Sequence, residues 1–390
     1  AAVSAVVSTE AGPAVVWHAG TVERREPRIT WLDLSSESGL AAGAAVSPCG
    51  AGSCPATPPG AAEPPLPPQQ VAARGEAVVA PGLCHGGPLI EVTPDGGCEA
   101  HELTGARGDR LHALAVGETS EGLTVLWSNE EQILASRLVD SGGRLAPAGP
   151  PVEVWNPTEH NRDDPSAACA LLDGSPRCMV AWASPDVLVE AWVPGRDRIV
   201  GGRAGQLRWQ TLGVGSRFDG AGELGHGAGI VLAAPRGADE STRGLALWRQ
   251  PDHGVFAAAW RDPDGGGSVR PPRFSPVPTQ LGPGRLLDDG TWTISRPTVA
   301  PVDDRTWIVG FWVGSEDEWT GTLALVLVRS AEDGLGLATA PLFLPETAAA
   351  PVGYIDEPPG LAWVRDAEGN GTLAVVWSPE DPSGVEVLFL

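Results

Sequence analysis

The chain of 390 residues contains no lysine, one tyrosine and one methionine. All 26 basic residues are therefore arginines, set against 49 Asp and Glu, for a formal charge of −23. A surface that binds phosphate backbones or anionic lipid needs clustered cations. Nucleic acid is thereby excluded as a partner, and so is an anionic membrane surface. The lysine-free basic set points to a GC-rich bacterial genome more than to a function. Long apolar runs are missing too. No wholly apolar stretch is longer than Leu323 to Val328, far short of the ~20 residues that span a bilayer, so no membrane insertion is expected. No segment sustains an apolar period of 3.6, and 51 Gly with 38 Pro interrupt any candidate helix.

What remains is a short apolar run that recurs seven times, each time breaking into a polar loop. The runs end at Trp17, Ala80, Trp127, Trp182, Trp248, Trp312 and Trp377, at intervals of 47–66 residues. Six of the seven finish on tryptophan. The third repeat shows the unit best. Leu111–Val116, Leu123–Trp127, Ile133–Leu138 and Arg144–Pro147 are strand-like and are joined by turn residues such as Asp140-Ser141-Gly142-Gly143. The fifth and sixth repeats follow the same order. Four short strands per repeat with hairpin turns make an antiparallel blade, and serial blades of this length make a β-propeller.

The fold class expected is therefore all-β: a seven-bladed propeller of mostly four-stranded antiparallel blades in one domain, 1–390. The blades fall at 1–48, 66–105, 109–152, 164–212, 226–275, 294–344 and 358–390, and the Pro-rich stretch 49–65 is an excursion between the first two. The inner strands are apolar throughout, as strands covered on both faces are. The recurrent tryptophans are assigned to packing between blades, and Trp319, in an acidic loop, is the candidate exposed aromatic.

Six cysteines fall as three close pairs, Cys49 with Cys54, Cys84 with Cys98 and Cys169 with Cys178. Local pairing is the simplest of the 15 connectivities open to six cysteines. There is no C-x-x-C for zinc. Disulfides imply an oxidising compartment, so the protein is expected to be secreted, periplasmic or at the cell surface. Ala1-Ala2-Val3 fits a mature end left by cleavage at a small-residue site.

Function in this architecture is expected where loops lead into the innermost strands, or join second strands to third. Candidate ligand-binding residues on that face are Asp109, Arg110, Asp163, Asp164, His226, Arg296, Glu316, Asp317, Trp319, Tyr354, Asp356 and Glu357. Calcium could use such carboxylates, but no D-x-D-x-D-G loop is present, and no cofactor is assigned. Glycoside hydrolysis could use a carboxyl pair across a sugar. Tyr354 beside Asp356 and Glu357, sharing a face with Arg110 and Arg296, resembles the sialidase arrangement of a tyrosine nucleophile with an arginine cluster. The S-x-D-x-G-x-x-W boxes of that family are absent. No G-x-S-x-G elbow, P-loop or dinucleotide fingerprint occurs either, and Asn370-Gly371 reads as a hairpin turn.

The seventh repeat ends after three strands. Either its blade is incomplete, or the ring closes by exchange of a terminal strand. In the first case Val385, Val387 and Phe389 mark an apolar edge open to a protein partner or a second copy. The chain as a whole resembles secreted bacterial seven-bladed propellers in blade pattern. The function expected is a non-catalytic binding or assembly module. The alternative is a carbohydrate-active enzyme (glycoside hydrolase, sialidase-like, or lyase) with an acidic site at the channel mouth.

Overall fold

The turn at Ser141 to Arg144 shows how local chemistry builds the structure. Gly142 and Gly143 both take positive φ, 68° and 91°, as a two-residue hairpin turn requires. The carboxylate of Asp140 accepts the N–H of Gly143 at 2.8 Å. The computed structural model describes residues 2–19, 26–33, 41–42, 45–46, 71–81, 89–101, 113–119, 122–128, 133–154, 163–172, 175–183, 187–192, 199–212, 218–233, 242–250, 254–261, 273–274, 279–282, 292–315, 320–331, 334–339, 342–343, 352–354, 358–365, 370–378 and 385–390. Among these there is no helix, and the chain is a series of small antiparallel sheets.

The first sheet is β1 (Ala2–Thr9), β2 (Gly12–Ala19), β3 (Glu26–Asp33) and β4 (Ala41–Ala42), paired in that order. The second is β5 (Ala72–Arg74), β6 (Ala77–Pro81), β7 (Leu89–Val92) and β8 (Cys98–His101), paired likewise. In the third, β9 (Ala113–Thr119), β10 (Gly122–Ser128) and β11 (Ile133–Ser141) are followed by β12 (Arg144–Pro147) and β13 (Val152–Val154), which both pair with β11.

The next sheet has nine strands. Its first half is β14 (Asp163–Leu172), β15 (Ser175–Ala183), β16 (Val187–Trp192) and β17 (Ile199–Leu212). Its second half is β18 (Phe218–Ala233), β19 (Thr242–Gln250), β20 (Gly254–Arg261), β21 (Arg273–Phe274) and β22 (Thr279–Gly282). The long β18 joins the halves by pairing with β17 through residues 218–227 and with β19 through residues 228–233. Position 226, read from sequence as the start of a repeat, thus lies inside a continuous strand.

Another sheet holds β23 (Trp292–Ile294), β24 (Thr298–Pro301), β25 (Thr306–Ser315), β26 (Thr320–Ala331), β27 (Gly334–Leu337), β28 (Leu342–Phe343) and β29 (Val352–Tyr354). Its centre is the β25–β26 pair. The last sheet is β30 (Gly360–Arg365), β31 (Gly371–Trp377) and β32 (Glu386–Phe389).

Each sheet packs face to face with its neighbours. On β6, Val78 and Ala80 pack with Ala14, Val16 and Trp31 of the first sheet. Val79, between them, packs with Leu123 and Val125 of the third. On β26, Ala324, Val326 and Val328 join Leu245, Leu247 and Val255, whereas Leu323 and Leu325 join Leu361 and Leu373. Successive strand residues point to opposite faces, so a strand covered on both sides must be apolar at every position. That is the physical basis of the seven runs. Trp17, Trp248, Trp312 and Trp377 are all buried.

Seven strands touch in succession: β1 lies against β5, β5 against β9, β9 against β14, β14 against β18, β18 against β24, and β24 against β30. Then β30 lies against β1. Val15, Trp17 and Leu32 of the first sheet close around Val376 of the last.

Candidate functional site

At four places in three sheets a strand loses register beside the recurring tryptophan. On β1 the irregularity lies between Val3 and Ala5, next to Trp17. On β14 it lies between Asp163 and Ser166, whose partners Ala183 and Ala181 flank Trp182. On β18 it lies between Ala228 and Val231, whose partners Arg249 and Leu247 flank Trp248. The chain also breaks pairing between β23 and β24, at Ser295 to Pro297. There the Trp312 N–H donates to the Ser295 hydroxyl at 2.8 Å, and the Ser295 N–H donates to the Trp312 carbonyl at 3.1 Å. Bulges bend a strand and re-aim its side chains. These bulges carry two of the sequence candidates, Asp164 and Arg296.

The bulges are also tied to one another. Arg296 Nη2 donates to the carbonyl of Ile230, inside the β18 bulge, at 2.9 Å. The N–H of Leu232 donates to the buried hydroxyl of Ser166, just past the β14 bulge, at 2.8 Å. Each contact spans 66 residues. Arg296 is half-buried and bonded to backbone, so part of its guanidinium serves the packing of adjacent sheets.

The remaining candidates are placed by backbone register. Asp163 opens β14 opposite Ala183, so Asp163 and Asp164 stand together at that strand's start. His226 lies within β18 opposite Gln206 and not in a loop. Tyr354 closes β29 opposite Thr320, and Trp292 opens β23 opposite Ser315. Register thus sets Trp292, Ser315, Thr320 and Tyr354 at one end of their sheet, where residues 316–319 connect Ser315 to Thr320. Trp292 was not singled out from sequence, because it stands outside the recurring apolar runs. Asp109, Arg110, Glu316, Asp317, Trp319, Asp356 and Glu357 lie outside the described residues, as do Cys49, Cys54 and Cys84. Among the described residues no group of three His, Cys, Asp or Glu is placed to hold a metal ion.

Cys98 is disulfide-bonded, and Cys169 faces Cys178 directly across the β14–β15 pair. Val385, Val387 and Phe389 are half-buried and pack against the first sheet.

A second charged constellation, unanticipated from sequence, joins the second and third sheets. Arg74 at the end of β5 donates to Glu91 of β7 at 2.8 Å, to the Asp140 carboxylate, and to the Gly143 carbonyl at 3.1 Å. Glu91 also meets His101 Nε2 at 3.0 Å. Burial opposes ionisation of Glu91, but hydrogen bonds from His101 and Arg74 outweigh it and hold the carboxyl below its ordinary value. The same balance raises Arg74, where burial is outweighed by its bonds to Asp140 and Glu91. Asp140 is lowered first by Arg74, then by the Gly143 N–H. The network has every carboxylate matched by a donor, which is the signature of a structural clamp.

No protein-family model and no curated protein matches this chain. Its fold has distant likenesses among solved structures. A mutant of AofleA from Arthrobotrys oligospora aligns at TM-score 0.44 and 10% identity, covering 82% of this chain and 81% of that one. Hsv2p of Kluyveromyces lactis aligns at TM-score 0.43 and 9% identity, over 100% and 98% of the two chains. An endo-arabinase from Bacteroides thetaiotaomicron aligns at TM-score 0.33 and 12% identity, over 80% and 88%.

Proposed function

We propose that the chain is a seven-bladed β-propeller, exported to the periplasm, cell surface or medium, and that it acts as a non-catalytic binding or assembly module. The observation that carries this reading is the circuit of contacts through β1, β5, β9, β14, β18, β24 and β30 and back to β1. Seven strands in such a circuit are the innermost strands of seven blades. The rim where those strands begin then carries Asp163 and Asp164 at the start of β14 and Arg296 beside β24, with β18 between them. The disulfide at Cys98 supports an oxidising compartment.

The partner is a protein surface or a second copy in preference to a small molecule. Arg296 and Ser166 are engaged in tying blades together, and a rim held by such ties is a rigid platform for a broad contact. A carbohydrate-active enzyme is the second reading. It is favoured by one observation, the register that sets Trp292 and Tyr354 at the end of the sheet joined by the acidic loop 316–319. Aromatic faces beside carboxylates suit a sugar ring.

The test is to incubate the pure protein with labelled plant, bacterial and sialylated oligosaccharides, following retention and new reducing ends together. The outcome expected is no turnover. Release of reducing ends that is abolished in Asp163→Asn/Asp164→Asn or Tyr354→Phe would overturn the binding-module reading in favour of the enzyme.

A further inference from the structure

We propose that the seam between β19 and β23 binds an acidic oligosaccharide, with its carboxylate on Arg249 and its rings along the row Trp292, Ser315, Thr320 and Tyr354. The inference goes beyond the protein-binding reading and gives the molecule a ligand of a second class. It shares the placement of Trp292 and Tyr354 with the enzyme reading but asks only for binding.

Arg249 carries the charge argument. It is half-buried on β19, and its Nη1 donates to the carbonyl of Ile294 on β23 at 2.9 Å. Among the described residues that is its one hydrogen bond, and no carboxylate pairs with it. Its other nitrogens are not sealed off from solvent. Elsewhere arginines find carboxylates: Arg74 meets Glu91 at 2.8 Å, and Arg144 meets Glu99 at 2.9 Å. The chain has 49 acidic residues to 26 arginines. A half-buried guanidinium left without one of them is a charge drawn partly out of water with no counter-charge, which is unfavourable. A planar guanidinium with donors to spare matches a carboxylate through two parallel bonds.

Arg296 reaches the same seam from the other side. Its Nη2 donates to the carbonyl of Ile230 at 2.9 Å, two residues past Ala228, the β18 partner of Arg249. Two arginines thus cross the seam in opposite directions, each ending on a carbonyl where a strand loses register. The formal charge of −23 repels a polyanion at long range. The ligand that fits therefore carries one acid group on an otherwise neutral chain.

Register builds the facing wall. Trp292 stands opposite Ser315, and Tyr354 opposite Thr320. The β25–β26 register, with Val313 opposite Thr322, continues to set Ser315 beside Thr320. Residues directly opposite share a face, so the four form one row across β23, β25, β26 and β29. Three strand spacings make that row roughly 14 Å long, with an aromatic residue at each end and two hydroxyl residues between. The next row on the same face is Ile294, Val313, Thr322 and Val352. Ile294 and Val313 join the cluster of Leu245 and Leu247 on β19, and Arg249 follows Leu247 on that face. Within one row the seam changes from apolar packing to an arginine on one wall and aromatic and hydroxyl residues on the other. Stacking faces, hydroxyl partners and a cation are what an acidic sugar chain requires of a site.

The test is titration calorimetry of the full chain with cellotriose, and with the same trisaccharide carrying glucuronic acid in place of its terminal glucose. The acidic sugar is expected to bind at one site per chain, about tenfold or more tightly than the neutral one. Arg249→Gln should remove that preference. Trp292→Ala and Tyr354→Ala should weaken both sugars alike, by about two- to tenfold. Equal binding of the two sugars, binding of neither, or a preference that survives Arg249→Gln would overturn the proposal. So would wild-type affinity in both aromatic variants. Equally tight binding of acetyl-Gly-Asp-Gly-amide would overturn it as well, by showing a carboxylate recognised without the sugar. The two sugars are compared on the wild type, so that result decides even where a variant fails to fold. Each of these outcomes leaves the protein-binding reading of the rim standing.

Discussion

The hydroxyl of Ser8 on β1 donates to the carbonyl of Trp363 on β30 at 3.3 Å, across 355 residues of sequence. This bond lies on the seam where the last sheet meets the first, and the seam's stability comes mainly from the apolar contacts around it. Val376 is fully buried there with Val15, Trp17 and Leu32. Val376→Ala removes two methyl groups from a packed site and should cost about 1–3 kcal/mol. In urea denaturation the midpoint should fall with the slope unchanged. A wild-type curve with two separate transitions would show instead that the first and last sheets are not one cooperative unit.

The Arg74–Glu91–His101 clamp makes part of the stability depend on pH. The folded pKa of Glu91 is depressed below its ordinary value of 4.5. Its stabilisation is therefore complete above that value and is lost as pH falls through the folded pKa. Glu91→Gln should lower stability at pH 7 by about 1 kcal/mol, after allowance for solvent screening. It should also flatten the loss below pH 4.5. Thermal melts of the two proteins between neutral and acidic pH check this, and parallel curves would rule the clamp out as an acid-sensitive element.

The extent to which these features were legible follows the range over which they are encoded. The strands of the third repeat were readable because turn chemistry and apolar runs are local: Ile133–Leu138 reads as a strand, and β11 spans Ile133–Ser141. The bulges beside the tryptophans, the Arg296 to Ile230 tie and the Arg74 clamp were not readable, because each joins residues brought together only when separate sheets pack. One signal was available for the first two. Asp164-Pro165-Ser166 and Arg296-Pro297-Thr298 hold matching places in their repeats, and a proline at a bulge is where a strand tolerates a missing donor. The acidic residues were legible as composition but not as a site, and Asp109, Glu316, Asp317, Asp356 and Glu357 lie outside the described residues.

Gly371 corrects a sequence expectation and yields a third prediction. Asn370-Gly371 reads as the hairpin turn itself, yet Gly371 opens β31 opposite Arg365. Glycine is required there because a Cβ would lie 1.9 Å from Cζ2 of Trp363. Gly371→Ala should force the indole aside and cost about 1–3 kcal/mol, with a change in near-ultraviolet circular dichroism. Gly310→Ala meets only Leu361 Cδ1, at 2.8 Å, and Leu325 Cδ2, at 3.2 Å. Those are flexible ends, so its cost should be smaller. The reverse order would mean that the Trp363 ring is not seated over Gly371.

Cys169 and Cys178 stand directly opposite in the β14–β15 pair, and facing strand positions satisfy the Cα separation of roughly 4.4–6.8 Å that a disulfide needs. Closing so short a loop stabilises by about 2–3 kcal/mol through the entropy removed from the unfolded chain. Peptide mapping without reductant should recover Cys169 and Cys178 as one linked pair. Reductant should lower the melting temperature of the wild type by more than that of Cys169→Ser/Cys178→Ser, since the double variant has only the other cysteines to lose. Alkylation of Cys169 or Cys178 in non-reducing denaturant would disprove the pairing, and leave the disulfide at Cys98 as the chemical reason to place this chain in an oxidising compartment.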